Sequence, residues 1–225
     1  MTKYLLIILL ASSHLSGKTQ TSETAYPEIP NTTASLDKFV PKDWKVVDSA
    51  VAHLISPQVK NLVFVIQSIK PQSPQDTTCG SSELYFPKMI VIVGKDSKDS
   101  SYHLSGVGSK LFGSCNWGIQ GQDPFEKISV KSKTLAVHFS TGGTLRTKLV
   151  YYFQYMRGQW LLSKVIDQTY QQGHPGASVV QWDWSNNTRT TYLTHDDGRH
   201  YYVKRVKMKS QSQYTLESFS GIPDR

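Results

Sequence analysis

The sequence predicts an all-β protein of antiparallel meander sheets, arranged as a propeller-like array or a sandwich, with one or two short helical turns. Three observations predict it. Runs of β-branched and aromatic residues recur along the chain, each closed by Gly, Pro, Asn, Asp or Ser. Turn signals return about every ten residues, the spacing of antiparallel hairpins rather than of strands alternating with long helices. Hydrophobic residues make up 38% and charged residues 19% of the 225-residue chain, which excludes a disordered or collagen-like polypeptide and is enough for one good-sized core.

The chain starts with Met1-Thr2-Lys3, an apolar run from Tyr4 to Ala11 and the small polar stretch Ser12-Ser13-His14-Leu15-Ser16-Gly17. A charged start, a short apolar run and a small-residue end form the pattern of a cleaved secretory signal peptide over residues 1–17. The run is too short to span a bilayer, so no stable membrane insertion is expected. No cysteine near the cleavage region supports a lipid anchor. Residues 18–35, polar and punctuated by Pro27 and Pro30, are expected to form a flexible leader, and residues 36–225 one β-rich domain. The expected compartment is periplasmic or extracellular.

Export gives the two cysteines a meaning. In an oxidising compartment Cys79 and Cys115, both in Gly/Ser-rich turn segments, are expected to pair as a disulfide contributing about 4 kcal/mol on the chain-entropy estimate. Neither lies in a Cys-x-x-Cys pair or beside a histidine, as a catalytic or metal-bound thiol would.

The strands follow in order. Leu62–Ile69 is apolar enough for both its faces to be covered. Lys88–Gly94 and Ser101–Ser105 form a hairpin around the polar turn 95–99, and Lys127–Val130 pairs with Thr134–Phe139. The strongest hairpin is Arg146–Tyr155 with Gln159–Asp167, turning at Met156-Arg157-Gly158; Tyr151, Phe153 and Tyr155 form an aromatic face on its first strand. Ser178–Trp184, Arg189–Leu193 and Tyr201–Met208 complete the series, and alternation puts Trp182 and Trp184 together on a core side. Short helices are expected only at 34–39 and 46–54, where Ser35 and Asp48 could serve as N-caps.

Phe39-Val40-Pro41-Lys42-Asp43-Trp44, a gap, and Leu62-Val63-Phe64-Val65-Ile66 resemble the opening of exported bacterial proteins related to FG-GAP/VCBS-like repeats. Asp123-Pro124-Phe125, Gly142-Gly143 and Tyr151 to Tyr155 followed by Trp160-Leu161-Leu162 extend the resemblance over most of residues 39–170. It implies compartment and fold rather than an activity. Such proteins carry a calcium loop before the apolar strand, where this chain has His53, Ile55, Pro57, Gln58 and Asn61. Calcium needs several carboxylate or carbonyl oxygens and a glycine for the turn, so the loop is expected to bind none and to be held by packing of Leu54 and Ile55 and by Pro57.

No catalytic motif stands out. Ser105-Gly106-Val107-Gly108-Ser109 lacks the spacing of a nucleophile elbow, and no His-Glu-x-x-His pair is present. In His195-Asp196-Asp197-Gly198-Arg199-His200 the Asp-Gly turn with solvated neighbours outweighs a metal site. No metal and no cofactor are expected. The remaining signal is basicity: net charge is +8 and pI about 9.3. Lys204, Arg205, Lys207 and Lys209 lie next to Tyr201 and Tyr202, with Lys204 on one side of the strand and the other three cations on the opposite side. This stripe suits an anionic envelope component or another exported protein and not nucleic acid, which an exported protein rarely meets; the competing role is protection of an edge strand. The sequence therefore favours a binding or accessory protein over its alternative, an envelope-directed hydrolase or inhibitor with a site assembled from distant residues such as His103, His138 and Asp167.

Overall fold

The computed structural model describes residues 26–72, 84–96, 100–113, 123–173, 176–195, 197, 199–208 and 214–220. Expectations for the signal peptide, Cys79, Cys115 and Lys209 fall outside these residues. The fold is all-β and consists of two antiparallel sheets facing each other, a sandwich rather than a propeller-like array.

The smaller sheet contains β1 (Thr32–Thr33), β2 (Trp44–Ala52), β3 (Val59–Ser68), β4 (Lys88–Asp96) and β5 (Tyr102–Gly108), in the order β1-β5-β4-β3-β2. The larger contains β6 (Phe125–Lys131), β7 (Thr134–Gly142), β8 (Leu145–Met156), β9 (Gln159–Gln171), β10 (Ala177–Asp183), β11 (Thr188–Thr194) and β12 (His200–Lys207), paired strictly in sequence order. Two-residue hairpin turns close the tightest connections. Ser132-Lys133 and Arg157-Gly158 all have positive φ, the mirror-image turn whose twist matches that of the flanking strands.

The main core lies between the sheets. Val63, Val65, Ile90 and Ile92 of the smaller sheet meet Leu135, Val137, Leu149, Tyr151, Phe153 and Val165 of the larger. Trp182 is buried here and Trp184 packs half-buried against it, as alternation predicts. Residues 214–220 return to the sandwich: Thr215 bridges to Leu161, while Leu216 and Phe219 are each 1% exposed. Phe219 meets the Tyr151, Phe153 and Tyr214 rings edge-on or tilted, contacts worth about 0.5–1.5 kcal/mol each beyond area burial. Gly106 and Gly108 leave room for this packing. A Cβ on Gly106 would stand 2.5 Å from Trp160, whose indole N–H donates to the Ser105 carbonyl, and one on Gly108 would stand 2.8 Å from Leu216. The Ser105–Ser109 phrase is therefore a packing feature.

Both faces of β3 and β4 are covered, as the apolar run predicts. Phe64, Ile66, Met89, Val91 and Val93 point away from the main core into a second cluster with Ile29 and Phe39, flanked by Tyr26, Leu36, Val40 and Trp44. This corrects the reading of residues 18–35 as a flexible leader for its second half. From Tyr26 onward the chain lies on the smaller sheet, because the apolar faces of β3 and β4 need a cover, and β1 adds to the β5 edge. Burial and the neighbouring Tyr85 push the Tyr26 phenol up to about 12.

A second correction concerns residues 46–54. They form most of strand β2, not a helix: Ala50 and Ala52 turn toward the core at period two, and the β-branched Val46, Val47 and Val51 suit a pleated edge. Asp48 sits at a bulge in the β2–β3 pairing, and its carboxylate accepts from the Ile128 N–H of β6 at 2.6 Å, joining the edges of the two sheets. Of the 34–39 expectation, a single 3-10 turn over Leu36–Phe39 remains, with no side-chain bond from Ser35 capping it.

The β2–β3 connection, where the resemblance would place a calcium loop, is held by Asn61. Its fully buried side-chain oxygen accepts from the N–H groups of Leu54 at 2.9 Å and Ile55 at 3.1 Å. Leu54 is 2% exposed in the main core and Ile55 packs beside it. The expected packing is present, and the amide adds hydrogen bonds that the sequence did not advertise.

Candidate ligand-binding face

The predicted basic stripe lies on β12, the last strand of the larger sheet, all eight of whose residues are exposed. Tyr202 opposite Leu193, Lys204 opposite Thr191 and Val206 opposite Arg189 share the inward side. Arg205 and Lys207 share the outward side, and Arg205 Nε lies 3.4 Å from Thr190 Oγ1 beside it. Tyr201 occupies a bulge and lies against His195 with ring centroids 4.5 Å apart, while His200 stacks on Tyr192 at 4.3 Å. The rings of His195 and His200 thus pack on tyrosines. Among the described residues no group of histidine, cysteine or acidic side chains is arranged to hold a metal ion.

The stripe belongs to a larger surface. Because opposed residues in a sheet share a face, registers can be followed from strand to strand. One outward row runs Lys127, His138, Val150, Ile166, Gln181, Thr190, Arg205. The adjacent row runs Ser129, Ala136, Tyr152, Lys164, Asp183, Thr188, Lys207. Both cross the whole larger sheet, about 29 Å at normal strand spacing. Lys131, Arg146 and Lys148 lie on the same face in flanking rows. Lys148 stands over the Tyr170 ring at 5.6 Å and Lys164 over the Tyr152 ring at 5.5 Å, stacking cation on aromatic. Asp183 is the acid within the two rows, and its carboxylate accepts from the backbone and side-chain N–H groups of Asn186.

A groove of about 380 Å³ opens on this face between β6 and β9. It exists because Ala136 separates the larger Tyr152 from Ser129 in its row and leaves a low floor. Its rim carries Lys131, His138, Gln154 and Lys164. Ser129 Oγ and His138 Nε2 are 2.8 Å apart, and Gln154 Nε2 donates to Thr134 Oγ1 at 3.0 Å. Burial, with the nearby Lys127 charge, holds the His138 imidazole below its ordinary range, while Glu126 opposes the shift. Burial pushes the Tyr152 phenol up.

The distant catalytic candidates do not converge. His138 faces outward, Asp167 shares the inward side with Leu149 and Val180, and His103 lies exposed on β5 of the other sheet. Ser129 and His138 form the nucleophile–base contact of a hydrolase, but no carboxylate lines their groove to orient the ring. Sequence reasoning found the dense cations of β12 and missed Lys127, Lys131, Lys148 and Lys164, which are scattered through the chain. Their signal was parity, each falling on the polar side of an alternating strand.

Comparison with protein families, with curated proteins and with solved structures finds no match to this chain.

Proposed function

We propose that this protein is an exported, non-enzymatic binding or accessory module of the bacterial envelope that recognises an anionic envelope component through the outward face of its larger sheet. The observation carrying this reading is the pair of outward rows, which place Arg205 and Lys207 of β12 on the same face as Lys164 and Lys127. Spread positive charge, with tyrosines beneath it, attracts a polyanion over many weak contacts rather than holding a small substrate in a closed pocket. Export rests on the signal-peptide pattern of residues 1–17, and FG-GAP/VCBS-like ancestry on the resemblance of residues 39–170.

A Cys79–Cys115 disulfide belongs to the same proposal. Lys88, 5% exposed at the start of β4, pairs with Asp123, so the chain following one cysteine's segment lies beside the chain following the other's. The hydrolase reading draws only on the Ser129–His138 contact.

Dextran sulfate and neutral dextran as probes test the proposal. Saturable binding to the first only, weakened by salt and by changing Lys127, Lys164, Arg205 and Lys207 to glutamine, is expected. Equal binding to both polymers would sink it. Cell fractionation with mass measurement and thiol titration checks leader removal and the disulfide.

A further inference from the structure

The groove between β6 and β9 differs in kind from the surface around it. The outward rows are a broad field of charge, whereas the groove is a concavity large enough for one ring, within the usual size range of small-molecule sites. Its chemistry is mixed. Two ammonium groups, Lys131 and Lys164, stand on its rim with no carboxylate lining it. Between them lie hydroxyl, imidazole and amide groups from Ser129, His138 and Gln154, together with the Tyr152 ring. A hydroxyl offers one donor and two acceptor sites, so the Ser129–His138 bond leaves Ser129 able to make another. Lysines act as point charges without the fork that selects planar carboxylates, so they accept an oxyanion of either carbon or sulfur.

We propose that this groove is a subsite for one acidic sugar residue, its carboxylate or sulfate attracted by the Lys131 and Lys164 ammonium groups that flank the groove and its hydroxyls bound by Ser129, His138 and Gln154. The proposal rests on the anion-binding face and names the class of ligand that face takes. Three features fit a sugar better than an acidic peptide. The groove's polar groups are hydroxyl and amide partners for a polyhydroxylated ring, and the Tyr152 ring offers apolar surface for the ring's C–H side. The strands of its floor, β7 and β8, are paired on both sides, so an extended peptide finds no strand to extend there.

Ala136 provides a test that leaves charge untouched. Trigalacturonate, maltotriose and tetra-glutamate are titrated into isotope-labelled protein while amide signals of Ser129, His138, Tyr152 and Lys164 are followed. Trigalacturonate is expected to shift these signals saturably, and the other two to bind at least about tenfold more weakly. Ala136→Leu, which fills the floor, should abolish the trigalacturonate shifts while dextran sulfate still binds; the Lys131→Gln/Lys164→Gln double variant should weaken trigalacturonate, with a folded spectrum confirming both variants. Undiminished trigalacturonate binding by Ala136→Leu overturns the subsite and leaves the face intact. Tetra-glutamate binding as tightly as trigalacturonate overturns the choice of a sugar. No dextran sulfate binding by the unaltered protein fails the face itself.

Discussion

The outer faces of the two sheets are built to opposite specifications. That of the smaller sheet is apolar at Phe64, Ile66, Met89, Val91 and Val93 and closed by the segment carrying Ile29 and Phe39. That of the larger sheet is left bare, with lysines and tyrosines on the outward side of strands whose inward side is core. Strands buried on both faces become continuous apolar runs, and strands buried on one face alternate. The contrast shows which surface the fold spends on stability and which remains for recognition.

The comparison breaks most readily at Phe39, which is 0% exposed beneath the covering segment. Phe39→Ala is expected to cost about 3–5 kcal/mol in denaturant unfolding, because the sheet beneath loses its lid and keeps a cavity. A cost near that of a surface substitution would mean the segment is not part of the fold. Asn61→Ala should cost about 1–3 kcal/mol by stranding the Leu54 and Ile55 N–H groups, measured the same way. Changing Lys148 and Lys164 together to glutamine should move stability by no more than about 0.5 kcal/mol while weakening dextran sulfate binding, the signature of a face not used for folding.

The smallest effect is a pH dependence. His138 lies below its ordinary 6.5 in the folded chain, held there by burial and by Lys127 against the pull of Glu126. The unfolded chain takes up a proton as pH falls below 6.5, and the folded one resists. The stability His138 contributes is therefore full above that pH and declines as pH falls toward the folded value. Calorimetry between pH 7.5 and 5 should show a gentler loss for His138→Gln than for the unaltered protein. A ring titration placing His138 at or above 6.5 would contradict this.

Much of the smaller sheet was legible because its signal is dense. Leu62 to Ile66 reads as a strand buried on both sides, and in the larger sheet the hairpins at Arg157-Gly158 and Asn186-Asn187 announce themselves by turn chemistry. What covers that strand was not legible. Pro27, Pro30 and Asn31-Thr32-Thr33 have the composition of a leader, and only the unmet apolar face of β3 and β4 explains why Ile29 docks there. Residues 46–54 misled for a related reason: Asp48 has the chemistry of a helix cap, but its acceptor went to Ile128 of another sheet, a pairing 80 residues apart that no local pattern encodes. The candidate face was half legible, because β12 concentrates its cations in a few positions while Lys127, Lys148 and Lys164 meet only through strand register.

The most direct measurement compares charge on the two sheets. One variant changes Lys148, Lys164, Arg205 and Lys207 of the bare face to glutamine; the other changes Lys38, Lys42, Lys45 and Lys60, all exposed around the smaller sheet, and removes the same net charge. Affinity for dextran sulfate should fall about tenfold or more in the first and change little in the second. Equal losses in both would show that net charge alone, and not the face built by strand register, attracts the ligand.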